Sequence, residues 1–406
     1  MKLSRRALIG SALAGLSFPA RASTASGRRF LFVHCSGGWD TPRVFQPNFG
    51  SSVVDMEAEA TLAEVGGISF VDHPDRPAVR RFFEDYAARS CVINGIEVRS
   101  ITHERCRRII STGVADGAAD DWGSTLAAAA GPEVLLPYFV MSGTAFTAEH
   151  SDRVVRLGSS GQLGKLLDGT VLTDADTPFP MPSASRSARV DAFVRQRFGA
   201  ATSPIAVAGA HALDDIEALA DYAGVLDIGG YASGCYALPS QLATAFDVFE
   251  LGLARSALIE YEGWCAQGWD THSNGDLQSM HYEELFDALI QGLQDLDGRT
   301  GTAGTALADE VTIVLFSEMG RTPATNATGG RDHWTFTSAL LLGAGVQGGQ
   351  GVGGYDTQGF GVGIDYNSGA VSDGGTGILA ANFGATILAL GDVDPGENAP
   401  IMGVLA

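Results

Sequence analysis

The chain has 406 residues, 45% of them hydrophobic, with 26 lysines and arginines against 47 aspartates and glutamates for a formal charge of −21. That length and apolar content can bury a large α/β core, as one big domain or two smaller ones. So acidic a surface repels nucleic acid and anionic lipid, which argues against both as partners. An anionic small molecule stays open, because a bound cation inverts the local field.

Residues 1–22 read as a cleavable twin-arginine export signal. Arg5-Arg6 stands in a basic start, a mildly apolar Ala/Gly/Leu run reaches Phe18, and Ala20-Arg21-Ala22 offers a cleavage site. The run is too short to span a bilayer, so the mature chain is expected to lack a transmembrane anchor and to be periplasmic or otherwise exported. Its first partner on that reading is the twin-arginine translocase. Residues 23–27 read as a linker and 28–406 as a single α/β domain. Its mostly parallel central sheet is flanked by helices on both faces, with a helical insertion around 177–250 marked by a Pro/Ser-rich interval. The five cysteines, Cys35, Cys91, Cys106, Cys235 and Cys265, form no Cys-x-x-Cys, which argues against a thiolate zinc site. An oxidising compartment permits a disulfide, the odd count leaves at least one thiol free, and Cys35 and Cys91 lie in apolar runs as inert core thiols.

In chain order, residues 29–35 form a buried-strand pattern followed by Gly37, Gly38 and Asp40. Glycines after a strand let the backbone turn tightly and bring a carboxylate to the strand's C-terminal edge, where ligands bind in open α/β sheets. Pro74 and Pro77 introduce a helix over 78–88, and residues 91–94 are a second strand. Arg99-Ser100-Ile101-Thr102-His103-Glu104 then opens a helical pattern through Ile110. Hydroxyls at such a start serve either as caps or, because a helix N-terminus stabilises an anion, as nucleophiles towards phosphate or sulfate; both roles are open for Ser100 and Thr102. An Ala-rich helix to Ala130, a strand within 134–141 and helices over 186–198 and 213–223 follow. His150 and His211 have no acidic or cysteine neighbour at ligand spacing and read as non-ligands.

The strand 257–261 leads to Gly268-Trp269-Asp270-Thr271-His272. Asp270 and His272, two apart, point the same way in extended chain and can reach one ion together. Leu285, Phe286, Leu289, Leu293 and Leu296 recur at three and four spacing in an amphipathic helix over 276–297. The next strand, 311–316, ends in Ser317-Glu318. A strand, helix, strand crossover of this length implies parallel pairing, so Asp40, Asp270, His272 and Glu318 fall on one edge of one sheet. Asp332-His333 precedes another apolar run at 338–342. The glycine-dense stretch 343–377 contains no P-loop and reads as irregular surface loops, and 378–390 as a closing helix.

Taken together, the twin arginines, the first strand ending in Gly-Gly-x-Asp, the Ser-x-Thr-His helix start, Gly-Trp-Asp-Thr-His, Ser-Glu-Met-Gly-Arg-Thr-Pro and Gly-Gly-Arg-Asp-His-Trp resemble the exported proteins of domain-of-unknown-function family 1501. The likeness runs from about residue 28 to the end of the chain, and that family is grouped with the alkaline phosphatase-like superfamily of phosphatases, sulfatases and phosphomutases. The resemblance implies one metal held by the acid after the first strand, Asp40, and by a later acid–histidine pair. There the chain has Glu318 followed by Met319 where the histidine stands, with His103 or Asp332 as substitutes. It implies a second metal held by Asp270, His272 and His333, and a nucleophile at Ser100 or Thr102. The cofactor is then one or two divalent ions, zinc, manganese or calcium, which polarise an ester oxygen and lower the nucleophile's pKa. Arg321 or Arg99 forks onto the anionic group of a small ester, and the reaction is hydrolysis of a phosphate or sulfate ester. Met319 favours the alternative, a non-catalytic exported binding or assembly protein whose acidic cluster holds one structural ion.

Overall fold

A computed structural model of the protein describes residues 27–131, 133–159, 161–167, 183–199, 203–222, 225–226 and 230–406. The expected export signal, most of the linker and part of the Pro/Ser-rich interval lie outside the described residues. The strands in chain order are β1 Arg29–Cys35, β2 Thr61–Val65, β3 Ile68–Asp72, β4 Ser90–Glu97, β5 Tyr138–Val140, β6 Val154–Arg156, β7 Ser256–Tyr261, β8 Val311–Phe316, β9 Gly320–Arg321, β10 His333–Trp334, β11 Phe336–Gly343, β12 Gln350–Gly353 and β13 Ile378–Leu379. Nine of them form one sheet in the order β12-β4-β11-β8-β1-β7-β5-β6, with β13 also on β4. β11 is antiparallel to both neighbours and every other pairing is parallel. The chain therefore has the expected α/β architecture with a mostly parallel central sheet.

The residues of β1 explain why it sits at the centre. All seven are buried, with Leu31, Val33 and Cys35 facing one core and Phe30 and Phe32 the other. A parallel strand covered on both faces needs this continuous apolar run. Helices Pro77–Tyr86, Leu238–Glu250 and Leu277–Asp297 cover the first face, and His103–Thr112, Trp122–Ala128 and Ala380–Leu390 the second. In the long helix Leu277–Asp297 all five apolar positions predicted from the spacing are buried, and Phe286 packs edge-on against Phe82 at 5.0 Å. Truncating such a core aromatic to alanine costs about 3–5 kcal/mol.

Two expectations need correction. The stretch 343–377 is not all loop: Gln350–Gly353 adds to the sheet edge parallel to Ser90–Glu97. Glycine has little strand preference of its own, so this pairing is imposed by the neighbouring strand and leaves no sequence signal. The closing helix begins at Ala380, because Ile378 and Leu379 pair with Ile96 and Glu97. Cys235 and Cys265 form a disulfide, and Cys35, Cys91 and Cys106 are free and buried. Burial pushes the Cys91 thiol up to about 12 and Cys106 to about 11, so neither is a thiolate near neutrality.

Candidate metal centre

The C-terminal ends of β1, β4, β7 and β8 open on the same sheet edge, and each delivers one part of the site. The chain leaves β4 and enters helix His103–Thr112 through Thr102, extended at φ −108°, so His103 is the first helical residue. Gly113, at φ +78°, ends that helix in the left-handed conformation that suits glycine. Asp270 and His272 stand in the loop beyond β7, and Glu318 two residues past β8. His333 comes from the hairpin β9–β10, where it pairs with Arg321.

Three imidazoles converge on Asp270. Its Oδ1 lies 3.1 Å from His272 Nε2 and 3.4 Å from His333 Nε2, and its Oδ2 lies 3.4 Å from His103 Nε2. His272 Nε2 and His333 Nε2 are 2.9 Å apart. Each ring is held from behind by an oxygen: His103 Nδ1 by Glu318 Oε1 at 2.9 Å, His272 Nδ1 by Asp332 Oδ1 at 2.9 Å and His333 Nδ1 by the Ile101 carbonyl at 2.7 Å. A carbonyl or carboxylate oxygen only accepts, so each Nδ1 donates, and in the neutral form of each ring Nε2 turns its lone pair inwards. His103 Nε2 is buried and has no hydrogen-bond partner among the described residues. Lone pairs facing one another at this range repel, and a cation among them removes the repulsion. Ligand atoms of His103, Asp270 and His333 all lie within 4.8 Å of one another. Outward anchoring of Nδ1 by carboxylates and carbonyls is the arrangement metal-binding histidines use. The residues present therefore fit a divalent ion.

The charges around the centre are balanced from its rear. Burial alone would raise the Glu318 carboxyl, but hydrogen bonds from His103 and His34 and from the Gly37 backbone outweigh it and hold Glu318 well below the usual range. The Glu318 hydrogen bond raises His103 against the opposing effect of burial. Burial would likewise raise Asp270, yet the Arg321 guanidinium, 2.6 Å away, outweighs it together with His103 and His272, and Asp270 stays low. His333 is lowered, first by burial and then by the charges of Arg321 and His103.

The remaining sequence candidates go to other places. Asp40 is buried behind the centre, its Oδ2 3.1 Å from Arg43 Nε and 3.2 Å from Arg331 Nε, while its Oδ1 is buried without a hydrogen-bond partner among the described residues. Glu318 meets no open space either, since both its oxygens serve His103, His34 and the Gly37 N–H. Arg321 is fully buried and donates to the carbonyls of Gly37, Gly38, Trp269 and Arg331 as well as to Asp270; it braces the loop instead of facing a ligand. Arg99 is exposed and pairs with Glu97. Ser100 Oγ accepts the Thr102 N–H at 3.3 Å, and the Thr102 side chain, which makes no capping bond, is exposed beside His103. Met319 is wholly buried among apolar residues. Asp332 acts as the anchor of His272.

Sequence reasoning missed His34, whose Nε2 lies 3.1 Å from Glu318 Oε2, and Gln278, whose amide joins Asp40 N–H, Thr271 and the Trp269 carbonyl. His34 carried a signal, a lone imidazole at the end of an otherwise apolar strand. Gln278 carried none.

No curated protein matches the chain. Similar solved structures include a protein in the alkaline phosphatase superfamily from Vibrio parahaemolyticus, 10% identical over 100% of this chain and 78% of that one with a TM-score of 0.38. The lipoteichoic acid synthase LtaP from Listeria monocytogenes is 9% identical over 96% and 78% with a TM-score of 0.34. The lipooligosaccharide phosphoethanolamine transferase EptA from Neisseria meningitidis is 10% identical over 98% and 63% with a TM-score of 0.42. At such scores none of them carries an argument about the chemistry of this chain. The resemblance read from the motifs does hold in the sequence: residues 255–369, which include Asp270, His272, Glu318, Asp332 and His333, match the model of the family described as Protein of unknown function (DUF1501).

Proposed function

We propose that the protein is an exported, divalent-metal-dependent hydrolase of phosphate or sulfate esters. The observation that supports this most is the buried, partnerless Nε2 of His103, turned towards Asp270 and His333 while Glu318 holds the other side of the ring. His103, Asp270 and His333 would hold the ion, with His272 beside them as the further donor. A bound divalent ion supplies Lewis-acid polarisation of an ester oxygen and lowers the pKa of a group it touches. Imidazole-rich donors suit zinc and its neighbours better than calcium, which takes oxygen ligands. One ion is the reading the donors favour, because one Asp40 oxygen is taken by Arg43 and Arg331 and both Glu318 oxygens by their own hydrogen bonds.

The chain's own side chains supply the rest. Arg321 offsets the charge of Asp270 and fixes the loop that carries it. Thr102 presents an exposed hydroxyl next to His103 and is the better placed of the two candidate nucleophiles, because Ser100 is engaged by the Thr102 N–H. The ester class rests on the motif resemblance, and export on the paired arginines and the Ala-x-Ala site of residues 1–22.

The test is elemental analysis of protein purified without chelator, with hydrolysis of p-nitrophenyl phosphate and p-nitrophenyl sulfate followed in parallel. About one ion per chain, lost together with ester hydrolysis in an Asp270→Ala, His333→Ala double variant, is the expected result. A second reading, a non-catalytic binding protein with one structural ion, is favoured by Met319 at the expected histidine position and by Arg321 being turned inwards. Ion content without hydrolysis of either ester, and without a thermal shift on adding phosphate or sulfate, would decide for it. A protein that takes up no zinc, manganese or calcium sinks both readings.

A further inference from the structure

A recess of about 280 Å³ lies where the sheet edge β4–β12 meets the hairpin β2–β3 and the loop after Thr41–Arg43, and no residue of the metal centre lines it. Its floor is bare backbone. Gly351 pairs with Val92 and faces the same side, while Val352 points away into the core behind. An added Cβ at Gly351 would meet nothing within 4 Å; it would project into the open space. Gly351 thus keeps a flat patch of strand uncovered where a side chain would ordinarily lie, while at Gly353, at φ +69°, an added Cβ would strike the Asn94 carbonyl and Ile378.

The walls carry hydrogen-bonding groups and no charge. Gln46 is 2% exposed; its Oε1 accepts the Thr41 hydroxyl at 2.8 Å, and its Nε2 has no hydrogen-bond partner among the described residues. A buried amide left in that state costs about 1–3 kcal/mol. The Asn94 oxygen accepts the Ser338 hydroxyl at 2.7 Å, so its amide hydrogens are what it has left to offer. Ser69 adds a hydroxyl from the hairpin rim, and burial pushes the Tyr355 phenol up to about 12, so it stays neutral. In a chain of net charge −21, a recess without one ionisable carboxylate or cation is selective against ions. Its chemistry suits an uncharged ligand of about one ring's size, with a flat, C–H-rich face for the Gly351 floor and oxygen acceptors for the Asn94 amide hydrogens.

We propose that this recess binds a neutral sugar unit. The proposal stands independently of the metal-centre reading. It is tested by saturation-transfer NMR and calorimetry on the full chain with methyl glucoside, methyl galactoside and N-acetylglucosamine as probes. The expected result is saturable binding of at least one probe, unchanged in an Asp270→Ala variant. Gly351→Leu, whose side chain fills the recess without backbone strain, should weaken it by about tenfold or more while the melting temperature holds. Ser69→Trp, on the exposed rim, should act in the same direction and serves if Gly351→Leu fails to fold. Absence of saturable binding by all three sugars, or binding indifferent to both variants, overturns the proposal. Loss of binding in Asp270→Ala alone overturns it as well, since the sugar would then sit at the metal centre.

Discussion

His103 is gripped on one side and open on the other: Nδ1 lies 2.9 Å from the buried Glu318 Oε1, and Nε2 faces Asp270 without a hydrogen bond. A carboxylate behind an imidazole fixes its tautomer and makes the far nitrogen a better donor. Glu318 is thereby a positioning residue whose effect on an ion passes through the ring.

Glu318→Gln should therefore keep the fold and weaken metal binding by about 10–100-fold. Zinc competition against a chromophoric chelator measures this directly, beside the circular dichroism spectrum as a check on folding. An affinity equal to that of the parent would show that the carboxylate merely fills buried space.

Asp40 and Asp270 should separate cleanly. Asp40 pairs with Arg43 and Arg331 in a buried site; in Asp40→Asn Arg43 keeps Glu57, but Arg331 loses its carboxylate, which should destabilise the fold by about 3–5 kcal/mol. Its ion content should be untouched. Asp270→Asn should lose the ion; it also takes the carboxylate from the buried Arg321, but because Asp270 is nearly half exposed and Arg321 keeps its backbone carbonyls, the stability lost should be smaller than in Asp40→Asn. Urea unfolding and elemental analysis on both variants read the two effects. Loss of the ion from Asp40→Asn in its folded state would restore Asp40 as a ligand.

The sheet was legible in the sequence because its strands are buried on both faces and read as unbroken apolar runs. The parallel placement of Asp270 and Glu318 followed from the length of the helix between their strands. What stayed hidden was the direction of side chains. Asp40, Glu318 and Arg321 were read as facing a ligand, yet all three turn inwards, because their partners Arg43, Arg331 and His34 and the carbonyls of Gly37 and Gly38 come from packing that no local pattern encodes. His103, named in the sequence as a substitute for the missing histidine ligand, becomes a candidate ion donor because Glu318 stands behind it. The edge strand Gln350–Gly353 was invisible for the opposite reason, since glycine leaves no apolar trace.

His281 should make the loop before Asp270 sensitive to acid. Its Nδ1 accepts the Trp264 N–H at 2.8 Å and its Nε2 donates to the Gly268 carbonyl at 2.9 Å, which requires the neutral ring. Burial lowers its pKa from 6.5 to about 4. The unfolded chain therefore takes up the proton first, so the contribution is complete above about pH 6.5 and is lost as pH falls towards about 4. At most about 3 kcal/mol follows from a shift of that size. Urea midpoints between pH 7 and 4 should fall more steeply for the parent than for His281→Leu, which is less stable at pH 7 but lacks this titration. Parallel pH profiles would remove His281 from the account.

The Cys235–Cys265 bridge should govern the same loop from outside. It closes 30 residues of chain, worth about 3–4 kcal/mol in the chain-entropy account. Three non-glycine residues at its ends, Tyr236 at φ 55°, Cys265 at φ 51° and Ala266 at φ 56°, hold left-handed backbone that costs about 1–3 kcal/mol each where nothing over-determines it. Without the bridge these residues can relax, which returns part of the lost stability and lets the segment from Gly263 to Gly268 move. The double variant Cys235→Ser, Cys265→Ser should thus melt lower than the parent by less than the closure entropy alone implies, while amide exchange at Trp264 and Gly268 rises markedly. Because Asp270 follows two residues later, zinc affinity should drop in the variant and in the parent treated with dithiothreitol, and not in the variant so treated. Equal exchange rates at Trp264 with and without the bridge would show that His281 and the Gly268 to Glu262 hydrogen bond, at 2.6 Å, hold the loop by themselves.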